Sequence, residues 1–209
     1  MFRISIRTAR ATHITAAAAL ALAALTGIAP ASASPSRAHH LALASVKGSA
    51  RIMYAYSPKD DIRFTIDAQA APYTHRFPGT RLENGLPTDA EGTVLVSHHS
   101  AEKNATFTAE ARVDCLATGG PVATLTAVVT KSAVLTVGQR IGLSVYQGSG
   151  DDEDGGGARL GFSWGIGNAD VDASGKPYQP VVGTCMAPAP FAPVVHGGYQ
   201  VHHADIEVR

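Results

Sequence analysis

The sequence predicts an all-β fold: an antiparallel β-sandwich or β-barrel of about eight strands, closed by one disulfide. Three observations lead there. Apolar and polar residues alternate with period two in one window after another beyond Gly48, which marks strands buried on one face. Pro- and Gly-rich turns separate these windows at hairpin spacing. The chain has two cysteines, Cys115 and Cys185, about 70 residues apart and without a CxxC pair. An even, well-separated pair reads as a disulfide rather than a metal or redox motif. Closing such a loop stabilises by roughly 4 kcal/mol in the chain-entropy account.

The strands can be taken in order. Ala50 to Tyr56 is a weak first candidate, followed by a turn at Ser57-Pro58-Lys59-Asp60-Asp61. Ile62, Phe64, Ile66 and Ala68 then alternate with Arg63, Thr65 and Asp67. Thr93 to His98 is a weak third strand. In the fourth, Phe107, Ala109, Ala111, Val113 and Cys115 share one face, with Thr108, Glu110, Arg112 and Asp114 on the other. Simple alternation therefore points Cys115 inward. Gly119-Gly120-Pro121 predicts a tight turn into a strand over Val122 to Thr130. Ile141, Leu143 and Val145 form the next, and an acidic hairpin loop from Gly148 to Gly157 follows. Leu160, Phe162, Trp164 and Ile166 continue the alternation, and Tyr199 to Val208 is a weak last strand. Two excursions rich in proline and glycine, Ala71 to Gly92 and Asn168 to Pro193, break the rhythm. Clear alternation argues against a parallel sheet, whose strands are apolar on both faces.

The N-terminus has the three-part order of an export signal. Arg3, Arg7 and Arg10 precede an apolar run from Thr15 to Ile28, and Ala31-Ser32-Ala33 offers small residues for cleavage. The run is about 14 residues long, short of the ~20 that span a bilayer. The expected organisation is a signal peptide over 1–33, a mobile leader over 34–47, and a single all-β domain over 48–209. No stable membrane anchor is expected after cleavage, and the expected location is extracellular, where disulfides persist. Removing the signal leaves 14 Lys and Arg against 17 Asp and Glu, a net charge of −3. Nucleic-acid binding needs a basic stripe to neutralise phosphates, so no nucleic-acid partner is expected.

Several patterns could carry chemistry. Gly161-Phe162-Ser163-Trp164-Gly165 matches the G-x-S-x-G of a nucleophile elbow. That motif needs its serine on a sharp strand-to-helix turn, whereas Ser163 falls within a strand pattern. It reads as structural, and no catalytic residue is assigned. Asp151, Asp152 and Asp154 beside Glu153 are candidate ligands for Ca²⁺, which takes several oxygen donors. They lack the alternate-position spacing of a calcium loop, so no cofactor is expected. His39-His40, His98-His99 and His202-His203 are three histidine pairs. Neighbours on a strand face opposite ways, so a metal site would require one pair to meet another across the sheet. Tyr54, Tyr56, Tyr146, Trp164 and Tyr178 could line a ligand face. Asn104-Ala105-Thr106 has the form of a glycosylation sequon.

The run Val113-Asp114-Cys115-Leu116-Ala117-Thr118-Gly119-Gly120-Pro121-Val122-Ala123, with Asp60 to Thr65 upstream and Arg159 to Gly165 downstream, resembles a group of small secreted actinobacterial proteins, some of which carry the label repetin. The resemblance would cover most of 48–209. It implies export and an all-β domain, and it transfers no active-site residue. The function expected from the sequence is therefore a non-enzymatic extracellular binding or surface-interaction module. A small-ligand carrier of the lipocalin type and an extracellular hydrolase are the competing classes. A deep cavity would favour the carrier, and an acid, a base and a nucleophile converging in a cleft would favour the hydrolase.

Overall fold

Eight antiparallel strands close into an up-and-down barrel. The computed structural model describes residues 43–149 and 157–206. The expected signal peptide, His39-His40 and the acidic residues Asp151, Asp152 and Asp154 lie outside the described residues. The strands are β1 Ser45–Ile52, β2 Asp61–Ala70, β3 Ala90–Ser100, β4 Ala105–Gly119, β5 Val122–Ser132, β6 Arg140–Tyr146, β7 Arg159–Phe162 and, after two short strands in an excursion (β8 Asp170–Val171 and β9 Pro177–Tyr178), β10 Ala192–His202. Each barrel strand pairs with its sequence neighbours. The ring closes where β10 pairs with β1, from Ser45 opposite His202 to Ile52 opposite Val194. Among the described residues no helix is long and apolar enough to cross a membrane.

The period-two pattern decides which side chains fill the barrel. On β2, Ile62, Phe64, Ile66, Ala68 and Ala70 are all buried, while Arg63, Thr65, Asp67 and Gln69 between them are exposed. Val46, Leu125, Ile141, Leu143 and Leu160 join them in one core with less than 2 % exposure each. Such an interior is packed rather than hollow. The outer faces of β1 and β2 carry polar and charged residues, including a Lys47–Asp67 ion pair at 3.0 Å. A lipid-spanning barrel has the reverse arrangement, with its apolar band outside. Where β10 crosses β1, Gly48 makes room for Tyr199. A Cβ on Gly48 would run into the Gly198 carbonyl oxygen and the Tyr199 Cα. The Tyr199 hydroxyl donates to the Phe64 carbonyl at 3.1 Å. Burial raises the pKa of that phenol well above the usual tyrosine range, so it stays a donor at any ordinary pH.

Four expectations need correction. The leader does not extend to residue 47, because β1 begins at Ser45 and Ala44 and Val46 are already buried in the core. The strand at Leu160 stops at Phe162; Trp164 caps a 3-10 turn over Gly165–Asn168, and Ile166 is exposed. β10 starts at Ala192, earlier than its weak alternation suggested, and it takes in Pro193 and a glycine pair. Finally, Cys115 faces outward. Between Val113 and Cys115 the β4 register shifts, so Val113 pairs with Ala127 and Cys115 with Thr126. This bulge inserts Asp114 and reverses the alternation. Val113 and Leu116 both enter the core, and Cys115 lands on the outer surface beside Thr126.

Cys115 is nonetheless fully buried, because a strap covers it. The Cys115–Cys185 disulfide, with a Cα–Cα distance of 5.4 Å, ties the long β7–β10 connection to the outer wall. The Cys185 N–H donates to Thr126 Oγ1 at 3.2 Å, and the Ser144 hydroxyl donates to the Pro188 carbonyl at 2.5 Å. Arg159 donates to the Pro190 and Phe191 carbonyls. Under the strap, β6 and β7 each place a glycine outward, Gly142 and Gly161. A Cβ on Gly142 would overlap the Met186 carbonyl oxygen, and one on Gly161 the Ala189 carbonyl oxygen. Gly142→Val should therefore lift the strap and destabilise the fold by about 1–3 kcal/mol, the usual cost of overpacking. Gly119→Ala, which adds a Cβ into open space, should change stability little. Urea midpoints of the two variants check this, and equal midpoints would contradict the close seat of the strap.

Candidate functional site

Up-and-down connectivity sorts the loops by end. Loops 53–60, 101–104, 133–139 and 163–191 all emerge at one end of the barrel. At this end the packed core stops at a layer of rings and leaves a cup above it. Phe162 is the hub: its ring centroid lies 4.8 Å from Trp164, 5.1 Å from Phe191, 5.3 Å from Tyr54 and 5.7 Å from Phe64. Phe162 and Phe64 point inward by strand alternation. Tyr54 comes from the β1–β2 loop, Trp164 caps the 3-10 turn after β7, and Phe191 lies just before β10, so four separate segments build the cluster. Burial raises the Tyr54 pKa and neighbouring Tyr56 adds to this, against a hydrogen bond from the Ile166 backbone that lowers it.

Two cavities open here and share Val96, His98, Trp164 and Gly165 as walls. The smaller, about 210 Å³, lies among Tyr54, Ile62, Phe64 and Phe162. The larger, about 400 Å³, reaches Ser100, Lys103, Phe107 and Leu135. The larger is in the size range of small-molecule sites, and barrel mouths are a common place for them.

His98 faces inward at the end of β3. Its Nε2 lies 2.7 Å from Asp60 Oδ2, and the other carboxylate oxygen, Oδ1, accepts the Ala101 N–H at 2.9 Å. One carboxylate thus joins the β1–β2 loop to the β3–β4 turn. The hydrogen bond from His98, followed by that from Ala101, holds the Asp60 carboxyl below the usual aspartate range. This pair resembles the base and acid of a hydrolytic triad. Among the described residues, however, no hydroxyl or thiol is hydrogen-bonded to His98. Ser163 is not placed to serve: it faces outward beneath the strap, where its Oγ accepts the Gly142 N–H at 2.7 Å and its own N–H donates to the Gly142 carbonyl. The elbow motif here is the end of the β6–β7 pairing followed by a 3-10 turn.

The histidine pairs do not converge. His98 and His99 end β3 at the mouth, whereas His202 and His203 end β10 at the opposite end. His99 Nδ1 contacts Thr106 Oγ1 and His203 Nδ1 contacts Thr118 Oγ1, each at 3.0 Å. Among the described residues no group of three or more His, Cys, Asp or Glu is arranged to hold a metal. Of the aromatic residues that could line a ligand face, Tyr54 and Trp164 lie at the mouth, and Tyr56 packs on Tyr54 with a tilt of 52° at 5.4 Å. Tyr146 faces outward at the far end of β6, and Tyr178 bonds Asp170 within the excursion. Asn104 occupies the β3–β4 turn with a left-handed φ of 46°.

Sequence reasoning overlooked Asp60, Val96, Lys103 and Phe107 as parts of one site. Phe107 and Val96 carry only a strand signal, Asp60 only a turn signal, and Lys103 none. Comparisons with known protein families, curated proteins and solved structures give no match.

Asp60 also supplies a pH test. Its folded-state pKa is depressed, so its contribution is present above the unfolded value, about 3.9, and is lost as pH falls through the lower folded value. Asp60→Asn should lower the melting temperature at neutral pH, and the gap to wild type should shrink as pH falls below the carboxylate range. A gap that does not change with pH would contradict the hydrogen-bonded carboxylate.

Proposed function

We propose that the chain is a secreted, non-enzymatic binding module that takes its ligand in the aromatic mouth of the barrel. One observation carries this reading: the interior is packed solid, and both aromatic cavities and most of the unusual surface lie at a single end. Met53, Tyr56, Val134, Val137, Ile166 and Val181 are all exposed on loops of that end, Val181 at 95 %. Isolated exposed apolar residues are ordinary, but a concentration beside a cavity marks an interaction surface.

The competing classes fit less well. A carrier needs an enclosed chamber, and the core side chains occupy that space. The cup is open between loops, as suits reversible recognition. A hydrolase needs a nucleophile within reach of its base, and the hydroxyl of the G-x-S-x-G serine is committed to Gly142 under the strap. Secretion rests on the N-terminal signal pattern and on a disulfide that an oxidising compartment would preserve.

Two measurements test the proposal. Expression in a secreting host should yield a mature protein beginning at Ser34; N-terminal sequencing that returns residue 1 would overturn export. The chain has a single tryptophan, so ¹⁵N-labelled protein gives one indole N–H signal, from Trp164. A neutral apolar probe, 2-naphthalenemethanol, should shift that signal saturably. Val96→Phe, which fills the wall shared by both cavities, should weaken the shift at least several-fold. The exposed Val134→Asp provides a second variant should the first fold poorly. Absence of a saturable shift in the wild-type protein would overturn the mouth as the binding surface.

A further inference from the structure

Resting on the mouth as the binding site, we infer that its ligand is a small amphipathic carboxylate, whose flat apolar body enters the aromatic cup and whose carboxylate meets Lys103. The charge pattern of the cup carries this. The walls of the larger cavity include one lysine and neither an aspartate nor a glutamate. The smaller cavity also lacks a carboxylate. Asp60, which bonds the wall residue His98, has both oxygens committed, one to His98 and one to the Ala101 N–H.

Lys103 is held toward the cavity. Its Nζ sits 5.8 Å from the Phe107 ring centroid, a cation–π arrangement that keeps the ammonium over an apolar wall. It takes part in none of the ion pairs among the described residues. Glu102, beside it in the turn, is exposed and is not a wall of either cavity. Ser100, 9 % exposed, adds a hydroxyl to the wall of the same cavity; its Oγ accepts the Lys103 backbone N–H at 3.4 Å and it retains its own proton to donate. An ammonium and a hydroxyl donor on one cavity wall suit a carboxylate. Val96, Phe107, Ala109, Val134, Leu135 and Trp164 make most of the remaining wall apolar. Two of these are aromatic, which suits an aromatic ligand body.

The lone Trp164 indole signal reads this out with three isosteric probes: 2-naphthoate, 2-naphthalenemethanol and 2-naphthylmethylammonium. The carboxylate should bind about tenfold or more tightly than the alcohol, the weight of one charge-assisted hydrogen bond, and the ammonium more weakly still. Lys103→Glu, in an exposed turn, should abolish the preference for the carboxylate and favour the ammonium. Lys103→Gln should bring the carboxylate to the level of the alcohol. Equal affinities for all three probes, unaltered by either substitution, would overturn the carboxylate assignment and leave the mouth site standing. Failure of all three probes to shift the indole would overturn both readings.

Discussion

Everything in this protein depends on the closure of β1 against β10. The first and last strands of the ring pair from Ser45–His202 to Ile52–Val194, so the barrel has no free edge. A closed ring of eight strands is wide enough for side chains or for one small ligand, and here apolar side chains form the core. Closure also requires that every strand keep one face apolar, and it sends the connections alternately to two ends. Because Tyr199 must pass over β1 to complete the ring, Gly48 cannot carry a side chain. The ring therefore sets the core and the gathering of four connections at one mouth.

The strap is the second layer, and it explains the odd features of the outer wall. A bulge at Asp114 turns Cys115 outward, where the Cys185 segment can reach it. The same bulge makes Asp114 a buried hub: it accepts Thr126 Oγ1 at 2.6 Å and Arg140 Nε at 2.8 Å. Thr126 in turn receives the Cys185 N–H. Outer-wall residues that would usually meet water are thus small or satisfied by the strap. With its middle anchored, the 163–191 connection can deliver Trp164 and Phe191 to the mouth on short, restrained arms.

Much of the barrel was legible because a half-buried strand writes its burial in period two. β2 is the clearest case, with Ile62 to Ala68 alternating as expected. Legibility failed where a local irregularity shifts phase. Nothing in Val113-Asp114-Cys115 announces a bulge, since Asp114 fits an outward position as well as it fits a bulge. The start of β10 is hard to read because Gly197 and Gly198 interrupt its alternation, although Gly197 lets Ser49 approach. The disulfide partners could be read from cysteine number alone, but the face of the barrel they occupy could not.

The candidate site was less legible, for a physical reason. A site assembled from the ends of several strands has no sequence neighbourhood of its own. Asp60, His98, Lys103, Phe107 and Trp164 come from five different turns and strand ends, and each taken singly has a bland role. What joins them is the barrel stagger, which brings the β1–β2, β3–β4 and β7–β10 connections around one opening. The same logic separates His98 from His202, although both are members of histidine pairs at strand ends. Parity of the strand decides which mouth a residue faces, and that parity can be counted only once every strand has been found. The ring fixes the far end as the place where the N-terminal segment enters and β10 leaves, and the strap seals one outer wall. The long connections at the near end can then vary their side chains without disturbing the core. That is where a packed barrel can vary its surface at least cost to its fold.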